Sequence, residues 1–469
     1  MKRHSSLIVI LIAVAVLAGL SLLEWEALTG GRIKNFNLIG DLIVGDSAMV
    51  STPTDDNIDE ELKKYIAMAD TAIAVEDTLK VEEPAIVDIP KDFVAPKVDG
   101  VVLIEDYSRG TCAIKALRDT FLRAGKRPVR IAMLGDSYIE GDIFAQDVRA
   151  GLQKRYGGRG VGYMPAFSAF PGFRRSVRQS ASGWEEHEIN KMKNDPLRTI
   201  IASYHKSTDG AYSRYRKSDS PDSLDHWNRT VVVCQSDSGS WVVFSGPEFE
   251  SVRHRIVPSK ELQAFVLEAP VSDVRVAVNG HGVNVLGVWL EGATGIVLDD
   301  ISLRGNSGVS HRVLNKRTTE QLRRTIDYDL IIVEFGLNAL SASQTNYKNY
   351  GDAMVEVVEN LKDLYPNAQI MVLGVGDRAH KVDGEIVSMR TVDALVRAQR
   401  DVANKTGSMF WDTREAMGGN GAARKWHEDK LINSDYIHLN HRGGKRLADI
   451  FLKSLDKSFE LNEGNEDSY

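Results

Sequence analysis

The sequence predicts an α/β fold on a parallel sheet, interrupted by an inserted all-β module of sandwich or jelly-roll type and preceded by a transmembrane anchor. Three observations predict it. Buried-strand, turn and amphipathic-helix segments alternate on both sides of the centre, as "PVRIAML" then "DIFAQDVRAGLQKRYGG" and again as "YDLIIVEFG", "NYGDAMVEVVENLKDLYP", "AQIMVLGV" and "VDALVRAQRDVANKTG". The middle instead holds short β-like runs split by turn residues, among them "TVVVCQ", "SWVVFSG", "DVRVAVNG" and "GIVLDD". An uncharged apolar run, "LIVILIAVAVLAGLSLL", follows "MKRHSS" at the amino end.

That run spans residues 7–23 and stops at Glu24. It reaches the lower limit of the roughly 17–25 residues that span a bilayer and exceeds the usual signal-peptide core of about 7–15. No A-x-A cleavage site follows, and Lys2 and Arg3 would hold the amino end in the cytoplasm. Residues 1–24 are therefore expected to be an uncleaved anchor, with the remainder in the periplasm, or secreted if the segment is cut. Residues 25–100 read as an acidic linker carrying Pro53, Pro84, Pro90 and Pro96. The α/β domain is expected over 101–172 and 300–460, with the β-rich insert over 173–299 and a disordered tail over 461–469. Within the first part, "IKALRDTFLRAG" has helical spacing, with Gly125 as its expected cap.

Composition narrows the function classes. The 469 residues are 43% hydrophobic and 26% charged, a globular balance with room for two or three domains. Against 65 acidic residues there are 58 basic ones, net −7, and no basic stripe, so nucleic acid is not an expected partner. The only cysteines, Cys112 and Cys234, lie in segments of different texture, which argues against a disulfide framework. His205, His226, His254 and His281 are scattered without ligand spacing, and no metal or cofactor is expected.

Four stretches carry chemistry. In "IAMLGDSYIEGD", Ser137 follows a buried strand and precedes a helix, at the carboxyl edge where open α/β sheets bind ligands and free amides favour negative charge. The same Gly-Asp-Ser also suits a plain helix cap. In "SDYIHLNHRGG", Asp435 and His438 stand three apart, so one turn brings the carboxylate to one ring nitrogen and leaves the other for a serine hydroxyl. A loop in which Asp435 caps the last helix fits equally, and His441 is an alternative base. Asn338 in "VEFGLNALS" ends a strand where its amide can donate to an oxyanion, or serve simply as a turn residue. Gly305 in "LRGNSG" can present an unobstructed N–H, as many turn glycines do.

With these four stretches in order, the chain resembles the SGNH hydrolases, the GDSL esterase and lipase superfamily, over residues 101–172 and 300–457. The blocks are "GDSY", "RGNSG", "GLNA" and "DYIH". The resemblance implies a flavodoxin-like three-layer α/β/α domain, a triad of Ser137, His438 and Asp435, and an oxyanion hole from the Ser137 and Gly305 amides and the Asn338 side chain, with Gly308 as the alternative to Gly305. Two positions depart from the pattern: Ala339 stands where an aspartate is usual, and Tyr138 where leucine is commoner. "GGRGVGYMPA", "FWDTREAMGGNGAARKW" and the insert look similar to two-domain envelope enzymes acting on O-acetylated polysaccharides, in which the insert resembles a carbohydrate-binding fold. Trp411, Met417, Trp426 and Trp289 are then expected to line a sugar groove, with core packing as the alternative for each.

The leading expectation is a serine esterase that removes acetyl or another small acyl group from an acylated polysaccharide or peptidoglycan. An O-acetyltransferase using the same triad, and a non-catalytic glycan-binding envelope protein, are the alternatives.

Overall fold

The computed structural model describes residues 89–90, 92–218 and 224–463. The expected anchor and nearly all of the expected linker lie outside them. No helix among the described residues is long and apolar enough to cross a membrane.

The first layer begins before residue 100. Ala95 is buried, and Lys97–Val98 pairs antiparallel with Val101–Val102, so the linker as drawn from the sequence is too long at its end. Strand β1 (Glu105–Asp106) and helix α1 (Ala113–Leu122) follow. α1 is capped at Arg123 in right-handed geometry, not at Gly125, because the Arg123 N–H reaches the last carbonyls without a left-handed residue. Strand β2 (Pro128–Gly135) is buried along nearly its whole length, the near-continuous apolar pattern of a strand covered on both faces. Helix α2 (Ala145–Tyr156) ends at Gly157, whose φ of 78° suits glycine.

Nine antiparallel strands come next: β3 (Gly162–Met164), β4 (Arg178–Glu188), β5 (Ser203–Arg216), β6 (Trp227–Ser236), β7 (Ser240–Gly246), β8 (Phe249–Ile256), β9 (Ser259–Val271), β10 (Asp273–Asn279) and β11 (Asn284–Glu291). They form one continuous ladder, β8-β7-β10-β5-β11-β6-β9, with β3 on β11 and β4 on β5. The long β5 pairs with β11 near its start and β10 near its end, so it turns the sheet through a corner. Residues of β6 and β11 then share one core with those of β7 and β10, including Val232, Cys234, Phe244, Val276 and Leu290.

The chain returns to the α/β layer through β12 (Gly295–Ser302), α3 (Lys316–Arg323), β13 (Leu330–Glu334), α4 (Lys348–Leu364), β14 (Gln369–Leu373), α5 (Val392–Thr406), β15 (Met409–Trp411) and α6 (His441–Leu461). β12 contains "GIVLDD", placed by pattern in the insert, yet it pairs in parallel with β2 along its full length. A buried apolar strand looks the same in either sheet, which is why periodicity misplaced it. The sheet order is β12-β2-β13-β14-β15-β1, parallel except for β1 at the edge. Helix α6 continues to Leu461, so the expected tail is helical at its first residue, and residues 464–469 lie outside the described region.

Buried polar contacts join the two sheets. The Arg130 guanidinium on β2 meets the Glu291 carboxylate on β11, which also accepts from Arg229. Asp299 on β12 accepts from the Trp289 indole at 2.8 Å, the Tyr163 N–H at 2.8 Å and the Tyr328 hydroxyl at 2.9 Å.

Candidate active site

Among the parallel strands, counted along the chain, the order is 2-1-3-4-5, and its direction reverses between β2 and β13. A crevice opens at the carboxyl edge of such a switch point. Ser137 follows β2 and Asn338 follows β13, so the sheet alone brings two of the four stretches together.

The third stretch arrives with α6. Asn440 caps this helix, accepting from the Arg442 N–H at 3.0 Å and the Gly443 N–H at 3.1 Å. Asp435 is thereby free of the capping role that the sequence left open. Gly443 and Gly444 let the start of α6 press against the backbone of Leu431 and Ile143, because a Cβ at either position would collide with those carbonyls. This close approach seats the histidine loop beside the segment that follows Ser137.

His438 Nε2 lies 2.9 Å from Ser137 Oγ, and His438 Nδ1 lies 2.7 Å from Asp435 Oδ2. The other Asp435 oxygen accepts the Ile437 and His438 N–H groups at 2.9 and 3.0 Å. Burial pushes the Asp435 carboxyl up, but the imidazole and these two amides outweigh it and hold the carboxyl below its ordinary range. With Nδ1–H donating to this fixed carboxylate, Nε2 is left to accept the serine proton. Ser137 and His438 are 5% and 3% exposed, so the pair is largely shielded from bulk water. His441 begins α6 and makes no hydrogen bond to Ser137 among the described residues.

Asp136 is fully buried and accepts the Tyr138 N–H at 2.9 Å and the Asn338 side-chain amide at 3.1 Å. Burial raises its carboxyl to about 6, against the pull of the Tyr138 N–H, His438 and Asn338. The Asn338 amide also donates to the Asn306 carbonyl at 3.0 Å, so an incoming oxyanion would share its hydrogens with these acceptors. The Gly308 N–H is engaged by Asn306 Oδ1 at 2.9 Å, whereas Gly305 lines an open cleft with a φ of 75°.

That cleft encloses about 600 Å³ between the two sheets. Glu140 and Gly141, which follow Ser137 closely in the chain, line one end with Gly305, while Ser137 and His438 are not among the lining residues; Tyr163, Phe170 and Phe173 add aromatic rings, and Glu186 and Glu188 add acceptors. An ion pair between Arg304 and Glu140, 2.5 Å long, crosses the end lined by Gly305. Sequence reasoning missed both partners, since nothing in either local pattern points across the 164 residues between them.

The expected groove residues are elsewhere. Trp411 is fully buried on β15, edge-on to Phe451 at 5.0 Å. Trp426 is 2% exposed and donates to the Met417 carbonyl at 2.9 Å, and the Met417 sulfur meets the Tyr138 hydroxyl at 3.5 Å. Trp289 is fully buried at the joint between the sheets. All four are core residues: Trp289 and Trp411 lie on strands of the two sheets, and Met417 and Trp426 on short helices whose buried faces carry them.

Comparison with known proteins agrees with this architecture. Residues 273–446 match the GDSL-like lipase/acylhydrolase family, which takes in the glycine, asparagine and histidine blocks but not the serine block upstream of the insert. No curated protein matches the chain significantly. A solved peptidoglycan O-acetylesterase aligns with a TM-score of 0.64 at 19% identity, over 76% of this chain and 99% of its own. A family two carbohydrate esterase from Cellvibrio japonicus aligns with a TM-score of 0.26 at 12% identity, over 61% of this chain and 98% of its own. An acetylxylan esterase from Geobacillus stearothermophilus does so with a TM-score of 0.26 at 21% identity, over 34% and 73%. The first shares the fold, and the other two are too distant to bear on the argument. Residues 273–446 thus match the GDSL-like lipase/acylhydrolase family, and the chain shares the fold of a peptidoglycan O-acetylesterase.

Proposed function

We propose that this protein is a carbohydrate esterase that removes O-acetyl groups from a glycan through an acyl-serine intermediate. The observation that carries the reading is the aligned pair of contacts, Ser137 Oγ to His438 Nε2 at 2.9 Å and His438 Nδ1 to Asp435 at 2.7 Å. In this mechanism His438 takes the hydroxyl proton as Oγ attacks the ester carbonyl. The Ser137 and Gly305 amides, with the Asn338 side chain, stabilise the tetrahedral oxyanion. His438 then protonates the departing sugar oxygen, and water, deprotonated by the same imidazole, releases acetate from Oγ.

A glycan suits the cleft because aromatic faces beside carboxylate acceptors match the apolar faces and hydroxyls of sugar rings. The peptidoglycan O-acetylesterase that shares the fold supports an acetylated cell-wall polymer as the substrate class. The apolar run at residues 7–23, with Lys2 and Arg3 before it, supports attachment to the cytoplasmic membrane with the hydrolase outside.

Acetate release from acetylated peptidoglycan and acetylated xylan by the full-length protein in mild detergent tests the activity, with Ser137→Ala as control. Ser137-dependent release is expected, and Asn338→Ala should retain about a hundredth to a thousandth of it. Transfer of the acetyl group to an added oligosaccharide in place of water would replace esterase with acyltransferase. Release by the parent and Ser137→Ala at equal rates would end the proposal.

A further inference from the structure

Under the Ser137 turn lies a buried carboxyl with no role in the chemistry just described. Glu334 is the last residue of β13, in register with Gly135 of β2. It is 3% exposed and accepts the backbone N–H of Asp136. Its Oε2 has no hydrogen-bond partner, and a Cβ at Gly135 would come within 2.9 Å of it. The glycine before Asp136 thus lets both the Ile139 side chain, 2.5 Å from such a Cβ, and this carboxyl pack against the turn.

The titratable groups that act on it, or on which it acts, are Asp136 and Tyr138 from the turn, Asp300 from β12 and Tyr350 from α4. None is a cation. Two buried carboxylates cannot both stay ionised at such a site, so one proton settles on the group with fewer donors. Asp136 accepts from the Tyr138 N–H and the Asn338 amide, while Glu334 is left with one backbone N–H.

We propose that Glu334 is a positioning residue that acts as an uncharged carboxylic acid, bracing Asp136 so that Asp136 in turn aims the Asn338 amide. Burial and the neighbouring Asp136 push Glu334 well above the ordinary carboxylate range, which favours the acid form. An uncharged brace also spares the developing oxyanion a second negative charge nearby.

The inference rests on the esterase reading, and its test separates the two. Acetate release is measured across pH for the full-length parent, Glu334→Gln and Glu334→Ala. The amide should keep most of the parent kcat and abolish its alkaline decline, while Glu334→Ala should lower kcat on the order of a hundredfold with KM little changed. Independently of activity, 13C-glutamate-labelled protein should show one protonated carboxyl resonance at neutral pH that Glu334→Gln lacks. Because ionisation opposes the fold as pH rises, the melting temperature of the parent should fall below that of Glu334→Gln in alkali. Loss of activity in Glu334→Gln as deep as in Glu334→Ala, or an ionised resonance at neutral pH, overturns the inference. If Glu334→Ala does not fold, Glu334→Gln and the resonance still decide. A parent without Ser137-dependent hydrolysis sinks the functional reading, while the resonance still reports on Glu334.

Discussion

The two sheets bury different things. At the carboxyl edge of the α/β layer, Asp136, Asp142, Arg149, Asp300, Glu334 and His438 are each no more than 6% exposed. The core of the antiparallel sheet is built instead from side chains such as Val232, Val242, Phe244, Val274 and Val276. Apolar side chains need only volume and burial, whereas every buried charge needs a partner within hydrogen-bond reach. The difference separates a sheet that holds the proposed reacting groups in place from one that supplies a wall and a cleft.

The largest effect predicted by this contrast is confined to rate. Ser137→Ala, or His438→Ala, should lower acetate release by about 10⁴- to 10⁶-fold and leave thermal unfolding nearly unchanged. A comparable loss of melting temperature would mean that the pair serves the fold and not the chemistry.

Next comes a charge whose work is structural. Asp142 accepts from Arg149 at 2.8 Å through both oxygens, and from Ser176 at 2.5 Å, with Arg174 at 3.3 Å. Burial alone would raise its carboxyl, but the two arginines win and hold it well below its ordinary 3.8. A depressed carboxyl contributes stability that is complete above the ordinary value and lost as pH falls through the folded one. Asp142→Asn should therefore cost about 3–5 kcal/mol in urea unfolding at neutral pH, and distinctly less near pH 3. An equal cost at both would show that packing, not charge, is what Asp142 provides.

On the other side of the comparison, Phe244→Ala opens a cavity in the antiparallel core. It should destabilise by about 3–5 kcal/mol, with no pH dependence of its own and unchanged acetate release per folded molecule. A drop in kcat in the folded variant would show that the two sheets are coupled more tightly than the wall-and-site division allows.

What the sequence disclosed follows the same line. Apolar periodicity located β2, β13 and β14 and the helices α2, α4, α5 and α6, because continuous burial writes itself into local composition. The strands β4 and β5, with mixed burial and many polar residues, left no such mark. At the site, Ser137, Asp435 and His438 were legible through short spacings next to predicted elements. Trp411 and Trp426 were misjudged because residue type gives no direction, and burial turned both inward. Arg304 with Glu140 depends on a long-range chain return that local pattern does not encode. Glu334 did leave a trace, as the one charge closing an otherwise apolar strand, "LIIVE".

The smallest predicted effect tests the wall itself. Phe170 lines the cleft and is 70% exposed, so its ring is open to a ligand bound there. It touches none of the reacting groups, so its contact with a glycan should be the same in the ground state and the transition state. Phe170→Ala should then raise KM about fivefold, roughly 1 kcal/mol of lost apolar contact, and leave kcat alone. A short soluble acetyl ester that does not reach the ring should show no change in either constant. If kcat falls for both substrates, Phe170 belongs with the polar edge and the division between site and wall must be redrawn.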